Sequence, residues 1–562
     1  VANAFGTVYI PIMMSDIHTL CLVDGQPELE QAFVRAGIEV VSFRTPGTPF
    51  FDLPAALDRS GTSPDMVLQV EHMAGRTILT GLDQLDVPLL FWCIDPHLNA
   101  HWHSVYARCF DVVCSTQKAW IPRLAEHGAS DVRWLPWYGH REPFVDWTGR
   151  GHDVSFVGRV NDQRPTRKWM IEFLQKAVAG QGLTLKQALA FPDMMALYRD
   201  SRVIPNESIF GEVNFRLFEG ASCGCLVLGQ TIEEQAELFE PGREMDTYSH
   251  VLELGEKVAI YHTNPRLAGI MGRAAHARIA AEHLPDHRVV QLLEYGANAS
   301  KNRATGHDAA KWTALTACAM VEAGVVRVGS ATLFSKLAAV PQDVDVVAMA
   351  FRMQALFGDR AALRRNIATV LARPASKSDP IVCRTASLAA VQMDDVDAAR
   401  ACAFRFFAGQ DEPCEGLHSM RDVLMRWARE FVCQGRVVRQ GLSFDADRHI
   451  PGSAAECLLV ILARNPDDQP ANRLLESLLR PLPGFEQTRV GLLSSLTLSQ
   501  RDDWRLDLAL GLANLGAYRR QSGLEELRLG LECAVSQGQE TEFWHTLMEQ
   551  DPSGLILAAL TA

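Results

Sequence analysis

Short, wholly apolar runs alternate with amphipathic stretches over the first half of this chain, and that alternation constrains its fold more than any other feature. His18 to Asp24 is such a run, followed by Gly25 and an amphipathic segment from Pro27 to Ala36. Gly37 stops that helix, and Ile38 to Phe43 reads as the next strand. Strands are expected again at Asp65 to Val70, Val87 to Ile94, Phe110 to Cys114 and Val132 to Pro136. Helices are expected between them at Ala74 to Leu85, Leu98 to Arg108 and Lys118 to His127. Strands apolar on both faces and separated by helices predict a parallel sheet covered on both sides, the doubly wound α/β arrangement.

A turn-rich segment from Trp137 to Gly151 reads as a linker, and the theme then restarts. Asp153 to Gly158 is a strand ending in glycine, and Arg167 to Ala179 and Phe191 to Asp200 are helical. Val213 to Cys223 reads as a helix stopped by Gly224, with Cys225 to Gly229 as the following strand. Helices at Val251 to Tyr261 and Pro265 to His283 close the block. Two Rossmann-like domains in tandem are expected to bind ligands at the carboxyl ends of their strands, in a cleft between them. From about Gly306 the pattern changes to helix after helix. Val396, Ala399, Ala403 and Phe406 share a face, as do Leu524, Leu527 and Leu531. Leu508 to Gly523 resembles the first helix and turn of a tetratricopeptide unit, but no clean period repeats, so a degenerate array of helical pairs is expected. The fold class is thus α/β plus all-α. Residues 1–145 and 146–305 form the tandem Rossmann-like domains, and residues 306–562 a helical-repeat domain.

Composition narrows the function. The formal charge of −13 lacks the basic balance of a nucleic-acid binder. The thirteen cysteines are scattered singly, apart from Cys223 and Cys225. Their spacing is not a zinc pattern, and their apolar contexts suit free thiols in a reducing compartment. No apolar run is long enough to span a bilayer, and Val1 to Phe5 lacks the basic start of a signal peptide. A cytoplasmic location is expected.

The segment most informative about chemistry runs from Asn206 to Cys225. A glycine-containing loop enters a helix on which Arg216 and Glu219, three residues apart, share a face. Backbone N–H groups at a helix start, together with an arginine, suit a diphosphate. A carboxylate one turn further in can accept from both hydroxyls of a ribose. The same residues also fit an ordinary surface ion pair.

Arg216-Leu-Phe-Glu-Gly-Ala-Ser-Cys-Gly224 resembles the nucleotide-sugar motif R-x-F-E-(A/G)-x-A-x-G of the CgeB-like, spore-maturation-type glycosyltransferases, a group of the GT-B superfamily. Asp153 to Arg159 resembles the strand that opens the donor domain, and Arg164 and Arg167 the arginines after it. Glu244 to Leu254 resembles a Y-x-x-x-x-E-L element, and His283 to Arg288 a terminal H-T-Y-x-x-R helix with Leu284 and Pro285 in place of Thr and Tyr. The resemblance covers about residues 20–300. It implies a nucleotide-diphosphate sugar as donor substrate, no further cofactor and no metal. By match Glu219 would hold the ribose. Arg216, with Gly158 and Arg159 at the strand end and Asn214 at the helix start, would complete the donor site. The commoner GT-B spacing of two glutamates around Phe-Gly is not met at Phe210-Gly211, so neither Glu207 nor Glu212 is assigned to the sugar.

Transfer with inversion requires a base for the acceptor hydroxyl. Asp95 and His97, after a wholly apolar strand, are the first candidates. Glu71, His72 and Asp24 are alternatives, and Asp95 equally suits a helix cap. His97, His101 and His103 lack an evident third partner for a metal. Trp134, Trp137 and Tyr138 suit either sugar stacking or hinge packing. The helical array points to a protein acceptor, by analogy a flagellin-like surface protein of a bacterium. The alternatives are a polysaccharide or lipid-linked acceptor and a non-catalytic scaffold. Nucleic acid and an integral membrane segment are not expected.

Overall fold

A computed structural model of the 562-residue chain describes residues 17–45, 47–162, 164–178, 182–374, 377–407 and 416–562. The N-terminal segment Val1 to Phe5 lies outside them. Among the described residues, thirteen strands form three parallel sheets. The strands are β1 (Thr19–Val23), β2 (Glu39–Phe43), β3 (Phe50–Asp52), β4 (Met66–Val70), β5 (Ile78–Thr80), β6 (Leu89–Cys93), β7 (Val112–Ser115), β8 (Val132–Trp134), β9 (His152–Val157), β10 (Leu183–Lys186), β11 (Ser201–Asn206), β12 (Leu226–Gln230) and β13 (Asp246–Tyr248). The first sheet has the order β2-β1-β4-β6-β7-β8, the second β10-β9-β11-β12-β13, and β3 pairs with β5 alone. Both large sheets follow from their strands: β4 and β6 are buried at every position, as a sheet covered on both faces requires.

Several sequence expectations are corrected. Ala74 to Leu85 is not a helix. Its middle pairs as β5 with β3, Phe50 opposite Ile78, and Gly81 turns the chain at φ +74°, a conformation glycine adopts without strain. The expected helix from Lys118 to His127 is a 3₁₀ turn followed by one turn of α-helix, Ile121–Leu124. Strands β10, β11 and β13 had no counterpart in the sequence reading. Strand β11 is short and carries Arg202 and Pro205, which mask its apolar character.

The expected division into 1–145, 146–305 and 306–562 is also replaced. The chain folds into two compact units. One contains residues 17–136 and 289–471, the other residues 137–288 and 472–562. The helical region is therefore shared between the two units rather than appended as one body. The physical reason is core continuity. In the first unit, Val23, Val67, Phe91 and Val113 of the sheet share one core with Leu315, Cys318, Met320 and Met349 of the helices. Arg303 pairs with Asp111, both almost fully buried. In the second unit, Phe156, Leu226 and Leu228 share a core with Trp504, Leu508, Leu515, Leu527 and Phe543. A sheet face left bare of such cover would expose apolar surface worth about 25 cal/mol per Å². The stretch that resembles a tetratricopeptide turn lies across the helices Trp504–Gly516 and Arg520–Ser536. Gly511 and Gly523 let these two helices meet so closely that a Cβ on either would lie 2.9 Å from the other's carbonyl oxygen. No helix among the described residues is long and apolar enough to cross a membrane.

Candidate functional site

The second sheet places its site by topology. The chain passes from β9 outward to β10, then returns to β11 on the other side of β9. Ligands in such sheets bind beyond the carboxyl ends of the two strands that flank this reversal. Arg216 occupies that position. It projects from the helix Phe215–Ser222, and its Nη1 donates to Asn206 Oδ1 at 2.8 Å while Nη2 donates to the Val157 carbonyl at 3.2 Å. One guanidinium thus bridges the ends of β9 and β11. Gly158 permits this approach, because a Cβ there would meet Arg216 Nη2 at 3.1 Å and the Phe156 ring at 3.0 Å. The guanidinium also lies 4.4 Å from the centroid of Phe156, a cation–π contact.

Glu207, directly after β11, is the carboxylate of this cluster. It pairs with Arg167 and lies 3.5 Å from Arg216 Nη1. All three side chains are buried to at least nine-tenths. Two guanidiniums against one carboxylate leave a net positive charge, which suits a diphosphate. Asn214 caps the helix by position only. Its Nδ2 donates to the Glu207 carbonyl at 3.0 Å, while its buried Oδ1 has no hydrogen-bond partner among the described residues. The Nε of Arg216 is likewise unpartnered there. Arg159 is exposed just past the strand end, and its carbonyl accepts from Arg167 at 3.3 Å. Arg164, at the start of the helix Pro165–Ala177, is exposed.

Glu219 lies one turn beyond Arg216 and is half-buried. Burial pushes its carboxyl up to about 7, against the opposing pull of Arg216. Near neutral pH it therefore exists in both protonation states. Tyr198 adjoins the same pair, and burial pushes its phenol up despite Arg216.

The sequence reading missed Asn206, Tyr198 and Tyr248 as site residues. Tyr248 donates to the Asn206 carbonyl at 3.2 Å, and its hydroxyl lies 2.8 Å from that of Tyr518. For Tyr248 a signal was available, since it is the tyrosine of the Y-x-x-x-x-E-L element. Apart from Tyr248, the residues Glu244 and His283 of these elements hold the fold. Glu244 receives Arg278 on both carboxylate oxygens at 3.1 Å. His283 contacts the Leu238 carbonyl through Nε2 and Arg288 through Nδ1, each at 2.9 Å. Arg288 in turn donates twice to the Trp137 carbonyl. Trp137 and Tyr138 are buried and stacked at 4.3 Å, with Trp137 edge-on to Phe215. Their packing role is the observed one. Cys223 and Cys225 are buried thiols, with Cys225 Sγ against the Tyr198 and Ser201 carbonyls.

In the first unit, Asp95 and His97 stand where the sequence placed them, after β6 at the start of the helix Pro96–Tyr106. Asp95 is half-buried and makes no side-chain cap to that helix. His97 is 4% exposed, and its Nδ1 has no hydrogen-bond partner among the described residues. Glu71, after β4, anchors the backbone at Asp95. Glu71 accepts from the backbone N–H of Ile94 and Asp95 at 2.9 and 3.1 Å and from Asn99 Nδ2 at 2.8 Å. Burial would raise its pKa, but His103 at 3.1 Å, Arg76 and the Asp95 N–H hold it down to about 2. Glu71 is thus a fixed anion and an anchor, unsuited to proton transfer at neutral pH. Asp24 is buried and accepts from the Thr45 backbone and hydroxyl, and His72 Nδ1 accepts two turn N–H groups. His101 is not a metal ligand in waiting. It lies 2.9 Å from Glu322, and burial lowers its pKa to about 4 in spite of that carboxylate. No group of three or more metal-binding side chains occurs among the described residues.

No curated protein matches the chain. Similar solved structures include Anabaena Alr3699/HepE in complex with UDP and glucose, at 13% identity and a TM-score of 0.36, covering 49% of this chain and 99% of that one. Sucrose-phosphate synthase from Thermosynechococcus elongatus matches at 11% identity and a TM-score of 0.37, covering 49% and 97%. A glycosyltransferase from Rickettsia africae matches at 9% and 0.35, covering 51% and 100%. These values are too low to carry an argument. Residues 151–294, which contain the whole Arg216–Glu207–Glu219 cluster, match the model of a family described as glycosyl transferase-like.

Proposed function

We propose that the chain is a glycosyltransferase that takes its sugar from a nucleoside-diphosphate donor. The observation that carries this reading is Arg216 bridging the ends of β9 and β11 at the topological reversal, inside the segment that matches the transferase-like family. Arg216, Arg167 and exposed Arg159 supply positive charge for the diphosphate. The unpartnered Asn214 Oδ1 is an acceptor for a donor N–H or hydroxyl. Glu219, when ionised, accepts from the ribose diol.

The chemistry follows. As the bond between the sugar's anomeric carbon and the diphosphate oxygen breaks, the electron pair leaves with the nucleotide, and preorganised guanidinium charge stabilises it. The acceptor oxygen forms the new bond to the anomeric carbon and gives up its proton. In this reading Asp95 takes that proton, and His97 supports it from the same helix start. The acceptor is a protein, with the helical region as its grip; a flagellin-like surface protein fits by analogy. Charge on the leaving diphosphate is met by arginine in this scheme, without a metal or further cofactor, and the reaction is placed in the cytoplasm.

Calorimetric titration of UDP and other nucleoside diphosphates tests the reading. Binding is expected for the wild-type chain and loss of it in Arg216→Ala and Glu219→Ala. Failure of every nucleotide to bind at millimolar concentration would leave a non-catalytic scaffold.

A further inference from the structure

The second unit contains a cavity of about 860 Å³ that the donor site does not use. Its walls are the helices Pro165–Ala177, Val251–Thr263 and the start of Arg520–Ser536. Four cations line it: Lys176, Arg519, Arg520 and Arg528. None forms an ion pair among the described residues, although the chain as a whole carries a charge of −13. A smaller cavity of about 570 Å³ beside Trp147 also holds arginines, but there Arg202 and Arg273 are neutralised by Asp153 and Asp146. Arg266 is left without an ion pair there among the described residues, against four such cations in the larger cavity.

The rest of the lining selects among anions. The Arg519 guanidinium sits 5.1 Å from the Trp169 ring centroid, a cation–π contact that holds it at the cavity wall. Glu172 and Glu256 also line the cavity and interrupt its cationic lining, so anionic groups spaced along a chain fit it better than one compact anion. Phe173, Leu252 and Leu524 supply apolar surface between the cations. The occupant that matches interrupted cations with apolar surface between them is a flexible chain with spaced carboxylates and aliphatic side chains between them.

We propose that this cavity binds an acidic, aliphatic-rich stretch of polypeptide. As an acceptor-docking site, it rests on the protein-acceptor reading above; as a binding site it stands on its own charges. Each carboxylate gains a guanidinium or ammonium partner, and such contacts between exposed charges steer association in a salt-dependent manner. Tyr518 lines the same cavity, so the docked segment would lie one hydroxyl pair away from the donor cluster.

The test titrates the full chain with a synthetic peptide of alternating glutamate and leucine, in the absence of nucleotide, at low and at physiological salt. The peptide is expected to bind, to weaken as salt rises, and to lose at least about tenfold in affinity in the double variant Arg520→Glu/Arg528→Glu. These two side chains are exposed, and circular dichroism verifies that the variant is folded. The single variant Lys176→Glu provides a second reading on a different helix. An alternating glutamine–leucine peptide is expected not to bind. Absence of binding at low salt, equal affinity in the charge-reversed variants, or displacement of the peptide by millimolar inorganic phosphate overturns the proposal. Should UDP fail to bind while the peptide binds, the donor reading falls and the docking site remains.

Discussion

The hydroxyls of Tyr248 and Tyr518 lie 2.8 Å apart, although 270 residues separate them in sequence. Tyr248 also donates to the carbonyl of Asn206, whose side chain receives Arg216. Burial pushes both phenols up, so both stay neutral donors and acceptors over the physiological range. Tyr518 sits at φ +64°, in the left-handed region, at the turn before the helix Arg520–Ser536. A non-glycine residue is strained there, and the hydroxyl pair is one contact that holds it. Tyr518→Phe is therefore expected to cost about 1 kcal/mol of stability. It should also weaken UDP binding by a few-fold, since Asn206 loses part of its anchoring. Denaturant unfolding and calorimetry read the two effects.

Glu207 pairs with buried Arg167 and lies 3.5 Å from buried Arg216. Removing its charge leaves Arg167 without its carboxylate and Arg216 with Glu219 alone, a change that costs about 3–5 kcal/mol in buried pairs. Glu207→Gln should show that loss in denaturant unfolding. Arg216→Lys should be milder for stability, yet lose the fork that reaches Asn206 and Val157 together. UDP affinity is expected to fall by about tenfold or more in that variant.

Glu219 supplies a pH signature. Its folded pKa of about 7 lies above the ordinary 4.5. Between those values the folded chain binds the proton more tightly than the unfolded one, so this group's contribution to stability falls as pH rises. Ligand binding has the opposite slope, because only the ionised carboxylate accepts from both ribose hydroxyls. UDP affinity of the wild type should rise from pH 6 to pH 8 relative to Glu219→Gln, measured side by side so that the nucleotide's own titration cancels. Equal slopes in the two proteins would remove Glu219 from the ribose.

Asp95→Asn should leave UDP affinity unchanged and lower turnover by about 10²–10⁴-fold, the usual range for loss of a general base. Donor hydrolysis, followed by release of the nucleotide, measures this without knowledge of the acceptor. An unchanged rate would return Asp95 to a structural role.

Truncation after residue 305 should not yield a folded transferase. Ala317, Cys318, Ala319 and Met320 are completely buried in the core that also holds β1, β4, β6 and β7. Their removal bares that sheet. The fragment is expected to be insoluble or to lack a cooperative thermal transition.

Much of the fold was legible in the residues. Wholly apolar runs such as Leu89–Cys93 can be satisfied only between two covering layers, and they announce parallel sheets without any tertiary information. Arg216 and Glu219 were legible too, because helical periodicity alone puts them on one face, as was the placing of Asp95 after a buried strand. Strand β11 was not legible. Its residues Arg202 and Pro205 hide the apolar pattern, and its status as a strand is conferred by β9 and β12 on either side.

What the sequence by itself determined was therefore local: which segments prefer extended or helical backbone, and which side chains share a face. The tertiary structure decided the rest. It brought Val157 to Asn206 and Arg216, because a reversal of strand order joins segments far apart in the chain, as the Arg216 contact to Val157 at a separation of 59 shows. It also made Tyr518 a neighbour of the donor cluster and divided the helices between two cores. Burial of apolar surface is non-directional, so no local pattern states which sheet a given helix will cover.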